Sequence, residues 1–94
     1  MDLIKVSATS RTAAVAGASA GMIRDRQRAE VQAIGAGAVN QAVKALVLAT
    51  GYLREDGINV CCAPEFIDVT IENNVRTAIK LVIEPRPSPG PAQD

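Results

Sequence analysis

The chain has 94 residues, 48% hydrophobic but only 2% aromatic, with ten Lys and Arg balancing ten Asp and Glu. That length holds one small domain whose core must be built from Val, Ile, Leu and Ala, and the neutral total excludes bulk attraction to polyanions or acidic membranes. The lack of histidine removes His-based zinc sites, Ser-His triads and imidazole acid–base chemistry.

Taken in chain order, Leu3 to Ala8 is short and β-branched and reads as an opening strand. Hydroxyls at Thr9, Ser10 and Thr12 then offer an N-cap for an Ala-rich helix running to about Arg28. Within that helix Val15, Ser19, Met22 and Ile23 fall on one face. Gly17 and Gly21 lie one turn apart, and each costs about 1 kcal/mol against Ala in a helix, so the pair points to close approach by another backbone. Arg24, Arg26 and Arg28 crowd the last turn, where cations suit the negative helix end.

Glu30 to Ile34 reads as a second strand closed by Gly35-Ala36-Gly37. A second helix follows from Ala38 to about Thr50, with Gly51 placed to cap it. Val39, Ala42, Val43 and Leu46 are expected to face a sheet, while Val47 and Leu48 carry the apolar surface round the helix. A helix apolar on more than one face is covered on more than one face, here by another copy of the chain.

From Gly57 the period changes. Ile58 to Ala63 is a third strand interrupted at Pro64, and Ile67, Val69 and Ile71 continue it, alternating with Asp68, Thr70 and Glu72. Asn73-Asn74 suits a hairpin tip, after which Val75, Thr77, Ile79, Leu81 and Ile83 alternate with Arg76, Ala78, Lys80, Val82 and Glu84. Residues 1–84 thus form a single domain. Residues 85–94, with Pro85, Pro87, Pro89 and Pro91, read as a disordered or polyproline-like tail without PxxP spacing. The order β-α-β-α-β-β implies an α/β two-layer sandwich, both helices on one face of a four-stranded mixed sheet.

Adjacent Cys61 and Cys62 point to opposite faces of a strand, where a mutual disulfide is strained, and they read as small buried apolar residues. No metal site, no leader peptide and no membrane span is expected, and two free thiols indicate a reducing, cytoplasmic setting. Gly35-Ala36-Gly37 follows a strand and opens a helix as a dinucleotide fingerprint does, but Asn40 stands where a third glycine belongs, so a tight turn accounts for it and no cofactor is implied. Free amides at that helix start still suit one phosphate oxygen. Glu65, Asp68 and Glu72 alternate with apolar residues as a solvated face does, and no catalytic constellation appears. The chain reads as a protein without enzyme activity.

Charge is unevenly placed. Residues 1–50 carry six cations (Lys5, Arg11, Arg24, Arg26, Arg28, Lys44) against three carboxylates, a surplus of +3, and residues 51–94 carry four against seven, −3. A neutral chain can therefore present a basic surface at its loops and helix ends.

The segment Val31 to Ala45 (VQAIGAGAVNQAVKA) closely resembles the stage V sporulation protein S family. Ile4 to Ala8, Val15 to Gly17, and Arg76 to Leu81 followed by Glu84-Pro85-Arg86 resemble it too, so the likeness runs from about residue 2 to 86. That resemblance implies an Alba-like fold, a type that pairs through its helical side and grips nucleic acid with loops and a β-hairpin. Where Alba has basic residues in the turn and following helix start, this chain has Gly35, Gly37 and Gln41. Weak binding by polar groups and few cations is therefore expected, to DNA or RNA.

The leading expectation is a small regulatory nucleic-acid-binding protein. Ser10 and Arg11 serve in the first loop, Gln32, Asn40, Gln41 and Lys44 about the second helix start, and Arg76 with Lys80 on the hairpin. Gly17, Gly21, Val47 and Leu48 are the expected contacts of a homodimer or higher homo-oligomer. The rival is a protein-interaction module acting through that apolar helix face without nucleic acid; small-ligand sensing at the Gly35–Asn40 turn ranks third.

Overall fold

The computed structural model describes residues 3–87. Its elements are β1 (Leu3–Val6), α1 (Thr12–Arg26), β2 (Ala29–Ala33), α2 (Ala36–Glu55), β3 (Val60–Ile71) and β4 (Asn74–Pro85), in the expected β-α-β-α-β-β order. They form one four-stranded mixed sheet in the order β1-β2-β4-β3, with β1 and β2 parallel and the other neighbours antiparallel. Helices α1 and α2 pack together over β1 and β2, with α1 also reaching β4. The result is a two-layer α/β sandwich. Residues 88–94 of the proline-rich tail lie outside the described residues.

The core is an alanine core. Ala16 and Ala20 of α1 and Ala42 and Ala45 of α2 have no exposed surface, and they meet Val31, Ala33, Leu81 and Ile83 of the sheet. Short side chains allow the layers to approach closely, and the larger Ile23 and Leu53 plug the far end. Val15, Ser19 and Ile23 are buried as their spacing predicts, and the Ser19 hydroxyl is satisfied by donating to the Val15 carbonyl at 2.8 Å.

Helix α2 departs from expectation at both ends and on its inner face. It continues through Gly51 to Glu55 because the buried stripe Ala38, Ala42, Ala45, Ala49, Leu53 continues past that glycine. An interior glycine costs about 1 kcal/mol, less than the burial of one Leu. Termination falls to Gly57 at φ +75, where the amides of Gly57 and Ile58 donate to the Arg54 and Leu53 carbonyls at 3.0 and 2.9 Å. That pairing is a Schellman motif. The stripe turns Val43 outward instead of toward the sheet. At the start of α1, Arg11 is the N-cap residue and no side chain caps it, because the Ser10 hydroxyl is spent inside the preceding loop on the Ser7 amide.

Strand β3 runs unbroken through Pro64, and Asn74 belongs to β4, facing Ile71. The turn is therefore Glu72-Asn73, one residue earlier than the expected tip, with φ of 51° and 66°. Two left-handed residues make a type I′ turn, whose twist suits a two-residue hairpin. Beyond the Ala33–Ile79 pair, β4 has no partner except β3, so the hairpin projects as an arm. Strand β3 is the sheet edge outside the helix cover, which explains a second correction: Cys61 and Cys62 are exposed free thiols, not core residues.

The burial of the zero-exposure alanines makes a direct test. Ala45→Leu is expected to lower stability by about 1–3 kcal/mol through overpacking. A thermal melt would register it as a fall of about 4 °C or more in Tm.

Candidate functional site

In this topology β1 and β2 end on the same side of the sheet, and the arm projects beyond that same end. The loop after β1, the turn into α2 and the hairpin tip therefore share one end of the molecule. The first loop is held by its own hydroxyls: the Ser7 amide donates to Ser10 Oγ at 2.9 Å, the Ser10 amide to the Ser7 carbonyl at 3.1 Å, and the Thr9 amide to Ser7 Oγ at 3.3 Å. It is fastened to α2 by Gln41, whose Nε2 donates to the Ser10 carbonyl at 2.8 Å. At Gly37 a Cβ would stand 3.0 Å from the Cβ of Ala8, so this glycine is what lets the helix start against the loop.

These contacts sort the expected nucleic-acid residues by what each is free to do. Arg11, Asn40, Lys44 and Arg76 are exposed. Arg11, Lys44 and Arg76 make no ion pair among the described residues. Ser10 and Gln41 are half-buried and already engaged in locking loop to helix. Gln32 is 9% exposed, on the sheet face away from the helices. Lys80 is held between Glu65 at 3.1 Å and Glu30 at 3.4 Å.

Lys80 belongs to a network that crosses three strands. Arg28 bonds Glu30 at 2.9 Å and Glu84 at 3.2 Å, and Glu30 also receives Lys80. The Arg28 hydrogen bond holds the Glu30 carboxyl below its ordinary 4.5, against a smaller opposing cost of desolvation. The hydrogen bond that Lys80 donates to Glu65 raises its ammonium, and Glu30 adds to it. Arg24 is tied to Asp56 at 2.7 Å, linking the C-terminal ends of the two helices. Of the six cations in residues 1–50, Arg24 and Arg28 are thus neutralised far from the loops, while Lys5, Arg11 and Lys44 make no ion pair among the described residues.

A second surface is apolar. Along α2, Val43 and Val47 are exposed on one flank and Leu48 and Tyr52 on the other, with Lys44 between them and Val47 68% exposed, and Phe66, opposite Ile79 at the root of the arm, is 77% exposed. Gly17 and Gly21 sit where an added Cβ meets nothing within 4 Å, so none of the described residues makes the close approach their spacing suggests. Sequence reasoning missed Val43, Tyr52 and Phe66 on this surface, and Lys5 beside Gln32. The signal for Val43 was present in the 38-42-45-49-53 spacing of small residues ending in Leu; for Phe66 there was none, since a strand's alternation does not say which strand will lack a cover.

The ion network makes a pH-dependent prediction. A carboxyl whose folded value is lowered stabilises the fold above its unfolded value near 4.5, and that contribution is lost as pH falls through the folded value. Glu30→Gln should therefore lower Tm at pH 7, with the gap to wild type closing below about pH 4.5. Parallel melts of the two proteins from pH 3 to 7 would check it.

All six elements, both loops and the arm lie within residues 2–86, the span matched by the family model of stage V sporulation protein S (SpoVS). By that match over nearly its whole length, the chain belongs to the stage V sporulation protein S family.

Proposed function

We propose that this sporulation-family protein is a regulatory, non-enzymatic nucleic-acid binder that works in the cytoplasm as a homo-oligomer. The observation that carries the reading is the shared end of the sheet, where loop and arm present Arg11 and Arg76, with Lys44 about two turns into α2, none with an ion-pair partner among the described residues. Arg24, Arg28 and Lys80 are held by carboxylates, while Arg54 and Arg86, also without an ion pair among the described residues, lie at the opposite end. Three cations spread over three segments suit a phosphate backbone, and Asn40 with the amides at the start of α2 adds directional donors. The fold order and the projecting arm are those expected of an Alba-like chain, which is the support for placing the contacts there.

Self-association rests on Val43 and Val47, an exposed apolar stripe along one flank of α2, with Leu48 and Tyr52 exposed along its other flank. Gly17 and Gly21 of α1 offer a smooth surface open to a second backbone. The rival reading, a protein-interaction module without nucleic acid, draws on this same stripe.

Titrating the protein into labelled duplex DNA and single-stranded RNA, followed by anisotropy across salt, separates the readings. Three phosphate contacts give a salt slope of about 2–3 in magnitude per protomer. Arg11→Glu should weaken binding on the order of tenfold at low salt while leaving the oligomer intact. No binding to either polymer at low salt would leave the protein-interaction module in front.

Val47→Asp tests the other surface. Burying an unpaired carboxylate at a packed interface is expected to dissociate the oligomer, seen as a lower mass by light scattering, without unfolding the protomer. An unchanged mass would remove α2 from the interface.

A further inference from the structure

On the sheet face away from the helices, the arm and the ends of β1 and β2 enclose a groove of about 340 Å³. Its walls are Ile34, Val69 and Ile71, and Lys5, Ser7 and Gln32 supply polar groups. The volume lies in the range of small-molecule pockets, roughly 300–1,000 Å³. Gln32 is the unusual member. It is more than nine-tenths buried, yet its side chain makes no hydrogen bond among the described residues. It is not a sealed, unsatisfied group, because no side-chain N or O among the described residues is both buried and unpaired. Its amide must therefore reach solvent, and the groove it lines is where it does so.

An amide held this way, with an acceptor and donors side by side, matches a planar ligand edge carrying one donor next to one acceptor. Glutamine makes that bidentate pair with N6 and N7 of adenine. Aliphatic walls suit the two faces of a flat ring, and Lys5, the cross-strand neighbour of Gln32, is exposed and without an ion pair to take a phosphate. A base inside a duplex stack cannot enter such a groove; an unstacked one can. We infer that the groove between the arm and the ends of β1 and β2 accepts a single unstacked adenine, with Gln32 pairing its edge. The polymer source of that base rests on the proposed nucleic-acid function; a free adenine nucleotide has the same chemistry and does not.

The test uses the full chain with labelled hexaadenylate, a hexamer of the same backbone lacking its bases, and AMP followed by NMR shifts. Wild type should bind hexaadenylate more tightly than the base-free hexamer. Gln32→Leu, which fills the same space without the amide, should weaken hexaadenylate about 5- to 150-fold, with Tm and oligomer mass retained. Ile71→Ser on the partly exposed wall should weaken it too, which covers the case of a Gln32 variant that fails to fold. Gln32-dependent binding of AMP with no binding of either hexamer or of duplex DNA would support the groove and identify a free nucleotide as its ligand, while overturning the nucleic-acid function. Equal, Arg11-dependent binding of both hexamers, unchanged by Gln32→Leu, would overturn the groove and leave that function standing. No binding of hexamers or AMP would overturn the groove, and no binding of duplex DNA beside them would overturn that function too.

Discussion

Everything in this molecule depends on how closely two helices can lie against each other and against the sheet. Alanine at the middle inner positions of α1 and α2 sets that distance, because there each residue puts only a methyl group into the contact. Close approach gains many weak contacts over a small area and leaves little volume for larger side chains. Val43, Val47, Leu48 and Tyr52 are therefore outside, not by neglect but because the inner stripe of α2 is already taken. A chain with almost no aromatic residues thus reaches a packed core and still carries an apolar exterior.

The same economy of space governs charge. Two helices cover the sheet on one side only, and its other face carries the ion network joining Arg28, Glu30, Lys80, Glu65 and Glu84. Those pairs hold β2, β3 and β4 in register across the uncovered surface, each pair contributing modestly because it remains in contact with water. Their functional effect is subtraction: cations that the composition suggests are available are not. Among the described residues Arg11 and Arg76 stay unpaired at the loops and the arm, where backbone ends from three elements meet, and Arg54 and Arg86 stay unpaired at the opposite end.

Much of the fold was legible in the residues because period carries it. The change from helical spacing before Gly51 to alternation after Gly57 marks the hairpin, and the β-branched runs mark β1 and β2. Boundaries were less legible, since Gly51 looks like a stop and only the continued burial through Leu53 overrides it. The cysteines misled for a different reason: small apolar residues in a strand look buried wherever that strand falls, and nothing local announces that β3 is the edge. At the candidate site, residue types were readable and their availability was not. Lys80 and Gln41 resemble Arg11 and Lys44 in sequence, and only the three-dimensional neighbours Glu30, Glu65 and Ser10 show that they are occupied.

Pro64 carries a consequence of its own. Counting back from the two-residue turn, the pairs of the hairpin alternate between mutually bonded and unbonded, and Pro64 opposite Leu81 falls on an unbonded pair. Its nitrogen therefore faces outward from the sheet. The ladder to β4 loses nothing, while the free rim of β3 lacks a donor midway along its twelve residues. A foreign strand laid along that rim would pair for only a few residues on either side of the gap. A long, exposed edge of this kind is ordinarily an invitation to fibrils and runaway aggregation, and a single ring closes it.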